Sequence, residues 1–385
     1  MEKRLQNIRS VALSGGKIPT AYRPAMAILS GLSAVYGGVQ KIHSDIYMNG
    51  WLARHRLACT VISIGNLAAG GTGKTPMTEY VARLCQRRGY KTAVLSRGYR
   101  GRAERCGGVV SDGHQLLMTP EVAGDEPFML AVGLAGTPVL VGQDRYRSGR
   151  LAIDRFAPDV IILDDGFQHL KLERDLDILL LDGHRPFGNG HLLPRGILRE
   201  PLSAICRADV VVLTRSEHAE KLPAGHNRYF TGKPVFRSSH QPKIEGMLPA
   251  GQSPHPLDSN NSGDRYRSRR FSSQRIFAFS GIARNDSFHQ SIKQLGGHVI
   301  GNMGFSDHFT YQDADLADIG RAAVNAGADC MATTAKDYAR IAKQIPLLLD
   351  LVVVNVKMAF MDDGFDHFLI NRLTDITQLK KNLRQ

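Results

Sequence analysis

From Leu57 onward, short apolar runs alternate with stretches of helical spacing, the pattern of strands joined by helical crossovers. Cys59 to Ile64 is a β-branched run ending at Gly65, and Pro76 to Arg88 has the spacing of a helix. Apolar runs recur at Thr92 to Leu95, Pro138 to Val141, Val160 to Leu163, Ile178 to Leu181 and Val210 to Leu213. This half of the chain predicts a parallel sheet. The pattern restarts at Ile276 to Ser280, with a helix near Ser287 to Leu295 and runs at His298 to Ile300, Met331 to Thr333 and Leu351 to Val356, which predicts a second α/β layer. Upstream, Tyr22 to Trp51 places Met26, Ile28, Leu29, Leu32, Val35, Tyr36, Val39, Ile42, Ile46 and Tyr47 three and four residues apart, a helical apolar stripe. Ala250 to Gln274 has six serines, four arginines and few large apolar groups. It reads as a flexible insertion or, alternatively, a basic docking loop.

Composition narrows the class. At roughly 100 to 200 residues per domain, 385 residues suggest two domains. Hydrophobic residues at 43% and charged residues at 22% exclude disordered, collagenous and coiled-coil chains. Five cysteines with no C-x-x-C pair give neither a disulfide framework nor a zinc finger, so a reducing, cytoplasmic compartment is expected. No apolar run reaches the roughly eighteen residues that cross a bilayer.

The net charge of 49 − 36 = +13 points to an anionic partner. Met1 to Arg56 alone holds eight basic residues against two acids. The helical stripe inside that segment can pack on its own domain, or it can lie on an anionic membrane surface. No nucleic-acid partner is expected, because no known binding fold or basic–aromatic platform is present.

The chemistry begins at Ala68-Ala69-Gly70-Gly71-Thr72-Gly73-Lys74-Thr75, which follows one predicted strand and opens one predicted helix. Glycines there let backbone N–H groups close around phosphate oxygens, the lysine reaches the β/γ-phosphates, and the Thr75 hydroxyl faces Mg²⁺. Ala68 stands where the strict P-loop pattern has glycine. Val160-Ile161-Ile162-Leu163-Asp164-Asp165 is an apolar strand ending in paired acids, the form that holds a nucleotide's Mg²⁺. A near-copy, Asp362-Asp363-Gly364-Phe365, lacks a P-loop and reads as a surface strand end. These signals leave open an NTPase, a GTPase switch or a small-molecule kinase. Guanine specificity is unsupported, because Thr334-Ala335-Lys336-Asp337 has the wrong spacing for the base reader. A kinase needs a further carboxylate for the acceptor's proton and arginines for substrate phosphate. Gly124-Asp125-Glu126-Pro127 supplies acids, while Arg97, Arg145 and Arg199 sit at element ends.

Taken in order, Gly65-Asn66-Leu67, the P-loop, Ser96-Arg97-Gly98-Tyr99, Gly124-Asp125-Glu126-Pro127, Asp144-Arg145-Tyr146 and Asp164-Asp165-Gly166-Phe167-Gln168-His169 resemble the tetraacyldisaccharide 4′-kinases of lipid A biosynthesis. Leu192-Leu193-Pro194, Leu198-Arg199-Glu200-Pro201, Phe279-Ser280-Gly281-Ile282 and Phe305-Ser306-Asp307-His308 extend the resemblance, with Arg195 where alanine is usual. The resemblance implies ATP-dependent phosphorylation of the 4′-hydroxyl of a tetraacylated disaccharide 1-phosphate, by a peripheral protein at the cytoplasmic face of an inner membrane. It implies an α/β fold: a P-loop NTPase-like parallel sheet domain with a second, smaller α/β domain and a short β-linker. The expected division is a membrane-associating segment 1–56, a kinase domain 57–230, a linker region 231–275 and a C-terminal domain 276–385. By motif, Asp125 resembles the catalytic base, with His308, from the other domain, as its partner. Lys74 and Thr75 serve phosphate and metal, Asp165 belongs to the metal pair, and Glu126 and Gln168 could join the Mg²⁺ shell. Arg97, Arg145 and Arg199 are the expected contacts to the anionic lipid substrate.

Overall fold

The computed structural model describes residues 19–216, 227–251, 271–282, 285–307, 309–341 and 346–382. His308, the N-terminal cations Lys3, Arg4, Arg9 and Lys17, and most of the insertion with its arginines lie outside the described residues. Along the chain come α1 (Arg23–Met48), β1 (Thr60–Asn66), α2 (Lys74–Arg87), β2 (Thr92–Ser96), β3 (Gly108–Ser111), α3 (Pro120–Ala123), α4 (Asp125–Gly133), β4 (Val139–Val141), α5 (Arg145–Phe156), β5 (Val160–Asp164), β6 (Leu176–Asp182) and β7 (Val210–Thr214). They are followed by β8 (Val235–Leu248), β9 (Arg275–Ser280), α6 (Asn285–Gln294), β10 (His298–Gly304), α7 (Asp313–Asn325), β11 (Cys330–Thr334), α8 (Ala335–Ile341), β12 (Leu351–Phe360) and α9 (Gly364–Asn382). The apolar runs read from the sequence are all strands. The near-copy at Asp362 is a helix start: Asp362 and Asp363 are exposed, and Asp362 accepts a hydrogen bond from the Gly364 N–H.

The chain divides along other lines than the expected boundaries. One compact unit is residues 1–95, 145–239 and 359–385, and the second is 96–144 and 240–358. The reason for the first difference is that α4 packs on α8, so the 96–144 excursion joins the later sequence. The reason for the second is that α9 returns to the first unit. There Tyr80 donates to Asp366 at 2.6 Å, Lys380 pairs with Asp175 at 2.6 Å, and Phe365 stacks on Phe360 at 4.3 Å. The strands β8 and β12 each run from one unit into the other.

In the first unit β1 lies between β5 and β6, with β2 beyond β5, and β7 then β8 beyond β6, all parallel. Every residue of β1, β2, β5, β6 and β7 is buried, because crossover segments cover both faces of such a sheet. Glycine at 65 is a spatial requirement, since a Cβ there would meet the Phe167 backbone N at 2.8 Å.

Helix α1 attaches to this unit by its small and polar side. Ser33 Oγ donates to the Leu192 carbonyl at 2.6 Å and accepts from the Arg195 N–H at 3.1 Å, and Tyr36 donates to the Arg199 carbonyl at 3.0 Å. A Cβ at Gly37 would stand 2.7 Å from Leu192. The apolar stripe divides: Met26 is buried and Leu29, Tyr36, Ile46 and Tyr47 are partly buried, whereas Ile28, Leu32, Val35, Val39 and Ile42 are each more than half exposed. Packing on its own domain therefore accounts for one edge of the stripe, and the other edge is left exposed.

In the second unit β9 is flanked by β10 and β11, and β12 follows β11, again in parallel. Alternation along these strands divides the core in two. Ile276, Ala278, Cys330, Ala332, Val352 and Val354 fill one face, while Phe277, Phe279, Met331, Leu351 and Val353 fill the other. The pair β3–β4 is antiparallel. The loop after β2 presses on the turn before α4: a Cβ at Gly101 would lie 2.6 Å from the Gly124 N, and Gly124 itself has φ +90°.

Candidate active site

The phosphate cradle is built at the carboxyl end of β1, where the chain leaves the sheet and enters α2. Gly73, the residue before Lys74, has φ +86°, and Gly70 has φ +118°. Both lie in the region that L side chains avoid, which is why glycine stands there. The fourteen-residue α2 then presents its unpaired N-terminal N–H groups and partial positive charge toward the loop. Lys74 and Thr75 open its first turn.

A buried amide shapes this loop from behind. Asn66, with no exposed surface, donates through Nδ2 to the Ala68 carbonyl and to Thr72 Oγ1, both at 2.7 Å. Its carbonyl accepts from Gln168 Nε2 at 2.8 Å, and the same Nε2 reaches Glu200 at 3.0 Å. Glu200 is buried and paired with Arg207 at 2.7 Å. On the loop's outer side Ala69 donates to Ile197, and Arg215, itself in the left-handed region at φ +54°, pairs with Asp182 and donates to the Gly71 carbonyl. Arg207 and Arg215 carry no motif signal for this bracing role. The Glu200 part of it is half legible in the Leu-Arg-Glu-Pro string.

The two acids at the end of β5 have different tasks. Asp164 is 2% exposed and accepts from Thr78 Oγ1 at 3.0 Å, which fixes it to α2. Asp165, turned outward by φ +54°, meets Arg199 Nη1 at 2.9 Å and Lys74 Nζ at 3.8 Å. Burial acts to raise the Asp165 carboxyl, but Lys74, Arg199 and Arg145 outweigh it and hold it below the usual carboxylate range. It stays ionised at neutral pH. Of the residues expected from sequence, the first unit thus holds Ala68 to Thr75, Asp165, Gln168, Arg145 and Arg199. Gln168 is engaged as a brace through Nε2.

The second unit holds Asp125, Glu126 and Arg97. Asp125 and Glu126 form the first turn of α4. Both Nε and Nη2 of Arg340 donate to Asp125 Oδ2, at 2.9 and 2.6 Å. Arg97 is half exposed and paired with Glu104 at 2.7 Å. Sequence reasoning missed Arg340.

The donor set of the first unit suits a hard cation. It offers a threonine hydroxyl and carboxylate oxygens, with no soft ligand. Among the described residues no group of three or more His, Cys, Asp or Glu could cage a metal by itself.

The sequence profile described as tetraacyldisaccharide-1-P 4′-kinase matches residues 25–374. A tetraacyldisaccharide 4′-kinase of Desulfatibacillum aliphaticivorans is 39% identical over 350 residues, covering 90% of this chain and 92% of that protein. One from Geobacter metallireducens is 40% identical, covering 88% and 96%. Among solved structures, the "apo" form of LpxK from Aquifex aeolicus in complex with ATP is similar with a TM-score of 0.70 and 31% identity, covering 91% of this chain and 99% of that one.

The Asn66 tie yields a direct test. Asn66→Asp replaces a donor by a charged acceptor facing the Ala68 carbonyl. A buried unmatched polar group costs about 1–3 kcal/mol, which corresponds to roughly 5- to 150-fold in affinity if the cost falls on the loaded loop. Titration calorimetry with ATP should show weakening in that range, and wild-type affinity would mean the loop keeps its shape without the tie.

Proposed function

This chain belongs to the tetraacyldisaccharide-1-P 4′-kinase family, and from that premise we propose that it transfers the γ-phosphate of ATP to the 4′-hydroxyl of a tetraacyldisaccharide 1-phosphate, giving the 1,4′-bisphosphate. The observation that carries the chemistry is the cradle between β1 and α2 with Lys74 beside the ionised Asp165.

In this reading the N–H groups of residues 68 to 75 hold the β- and γ-phosphates, and Lys74 neutralises charge that spreads over the transferring group. Mg²⁺ would be held by the Thr75 hydroxyl and Asp165, with Glu126 and Gln168 as further oxygen donors, and it supplies neutralisation of the phosphate charge. Arg199 and Arg145, which already converge on Asp165, release part of their charge to phosphate when the nucleotide arrives. Asp125 takes the proton of the 4′-hydroxyl, with His308 as its partner, and Arg97 contributes to holding the anionic lipid. Because the transition state is loose, the base matters chiefly by orienting the hydroxyl.

An acceptor with four acyl chains stays in a bilayer, so the protein goes to it. Helix α1 supports that reading. It exposes an unbroken apolar face beside Lys41, ends near Trp51, which is 78% exposed, and no helix among the described residues is long and apolar enough to cross a membrane. The reading is a peripheral protein on the cytoplasmic face of the inner membrane, held by apolar burial and by attraction of its cations to anionic lipid.

Two experiments test these statements. With labelled ATP and the disaccharide 1-phosphate in detergent micelles, the wild type should form a labelled lipid. Lys74→Ala should lose at least about 10²-fold in kcat with an unchanged circular dichroism spectrum. ATP hydrolysis without labelled lipid would instead indicate a nucleotide-gated docking protein. For the membrane, Val35→Glu with Val39→Glu alters exposed positions only, so folding should be unaffected. Co-sedimentation with anionic vesicles should fall at least about tenfold and become fully reversible by salt. Unchanged binding would move the contact to another surface.

A further inference from the structure

The string Thr334-Ala335-Lys336-Asp337 has no part in guanine reading, and in the structure it opens α8, whose last turn carries Arg340. We infer that Arg340 is a positioning residue for the acceptor base, and that α8 exists in this form to aim the Asp125 carboxylate. The inference rests on the assignment of Asp125 as that base.

The geometry is a buried relay within one unit. Arg340 is 7% exposed and donates twice to Asp125 Oδ2, while its remaining nitrogen, Nη1, donates to Asp337 Oδ1 at 3.0 Å and to the Gly281 carbonyl at 3.2 Å. The guanidinium is therefore held in a plane from behind, and its Nε and Nη2 together grip one oxygen of the carboxylate in front. Asp337 has no exposed surface and is itself held: Thr334 Oγ1 donates to its Oδ2 at 2.7 Å, and the Thr334 hydroxyl accepts from the Asp337 N–H at 3.0 Å. Of the three charged side chains, Asp125 is the most exposed at 19%, against 7% for Arg340 and none for Asp337. The same helix also places Lys336 3.3 Å from Asp307, the residue before His308.

Stability alone is a weak reason for this arrangement. Two carboxylates share one cation in a largely buried place, and desolvation offsets much of the attraction in such clusters. Where orientation outweighs proton abstraction, holding the carboxylate in place is the larger need. The arrangement suits aiming.

The test uses the full chain, ATP and the tetraacyldisaccharide 1-phosphate in detergent micelles. Arg340→Lys keeps the charge between the two acids and removes the fork. It should lower kcat by about 10- to 100-fold, leave the KM and the measured affinity for ATP unchanged, and keep the melting temperature within a few degrees. In an Asp125→Asn background the same substitution should have no further effect, because there is no base left to aim. A purely structural role would lower kcat by the same factor in both backgrounds and would follow the melting temperature, and that outcome overturns the inference while leaving Asp125 as base. Wild-type kcat in Asp125→Asn alone would instead overturn the base assignment, and the inference with it. If Arg340→Ala fails to fold, the Lys variant still carries the comparison.

Discussion

The nucleotide site depends on a tie that no phosphate touches: the buried side-chain amide of Asn66 across the mouth of its own loop. A phosphate cradle needs backbone N–H groups pointing inward, and therefore carbonyls pointing outward or toward some internal donor. Asn66 Nδ2 serves as that donor for Ala68, and Arg215 does so from the other side for Gly71. Gln168 and Glu200 then hold Asn66 from below. The strings on either side of the nucleotide, 65–75, 164–169 and 198–201, are thus one hydrogen-bonded body in the first unit. Its hydrogen bonds are made without any ligand, and preorganised dipoles are what stabilise a phosphoryl-transfer transition state.

Charge follows the same logic. Asp165 is surrounded by Lys74, Arg199 and Arg145, an excess of cations over the single carboxylate. That excess is the electrostatic vacancy a polyphosphate fills. In the second unit one cation, Arg340, stands between two acids, Asp125 and the fully buried Asp337. Under the proposed function the first set serves the phosphate donor and Asp125 the acceptor, and a nucleotide-gated switch has no use for the second.

What the sequence made legible was whatever lay within one short string. The strands, the cradle and the acid pair each carry their chemistry in ten residues or fewer, and the resemblance read from those strings agrees with the family found by comparison. Contacts across the chain were not legible. Arg340 lies 215 positions from Asp125, and nothing in Thr334 to Arg340 announces a partner. The apolar stripe of α1 was readable as a period, but not its direction. Periodicity cannot say that Ser33, Tyr36 and Gly37 form the attached side, because that depends on Leu192, Arg195 and Arg199 arriving from far along the chain. The compact units follow other boundaries for the same reason, since α9 and the 96–144 excursion are assigned by packing. Strands β3 and β8 were missed because glycine, serine, histidine and proline dilute their apolar pattern. By contrast α9 carries a readable stripe at Phe365, Leu369, Leu373 and Ile376 that went unread.

The central claim is regiochemical: the phosphate of ATP goes to one hydroxyl of an acylated disaccharide that already bears a 1-phosphate. Two-dimensional phosphorus–proton correlation spectroscopy of the lipid formed by the wild-type protein addresses it most directly. The account predicts one new phosphomonoester signal correlated with the 4′ proton of the sugar, beside the unchanged 1-phosphate. A correlation to any other sugar proton, or inorganic phosphate as the sole phosphorus product besides ADP, would contradict it.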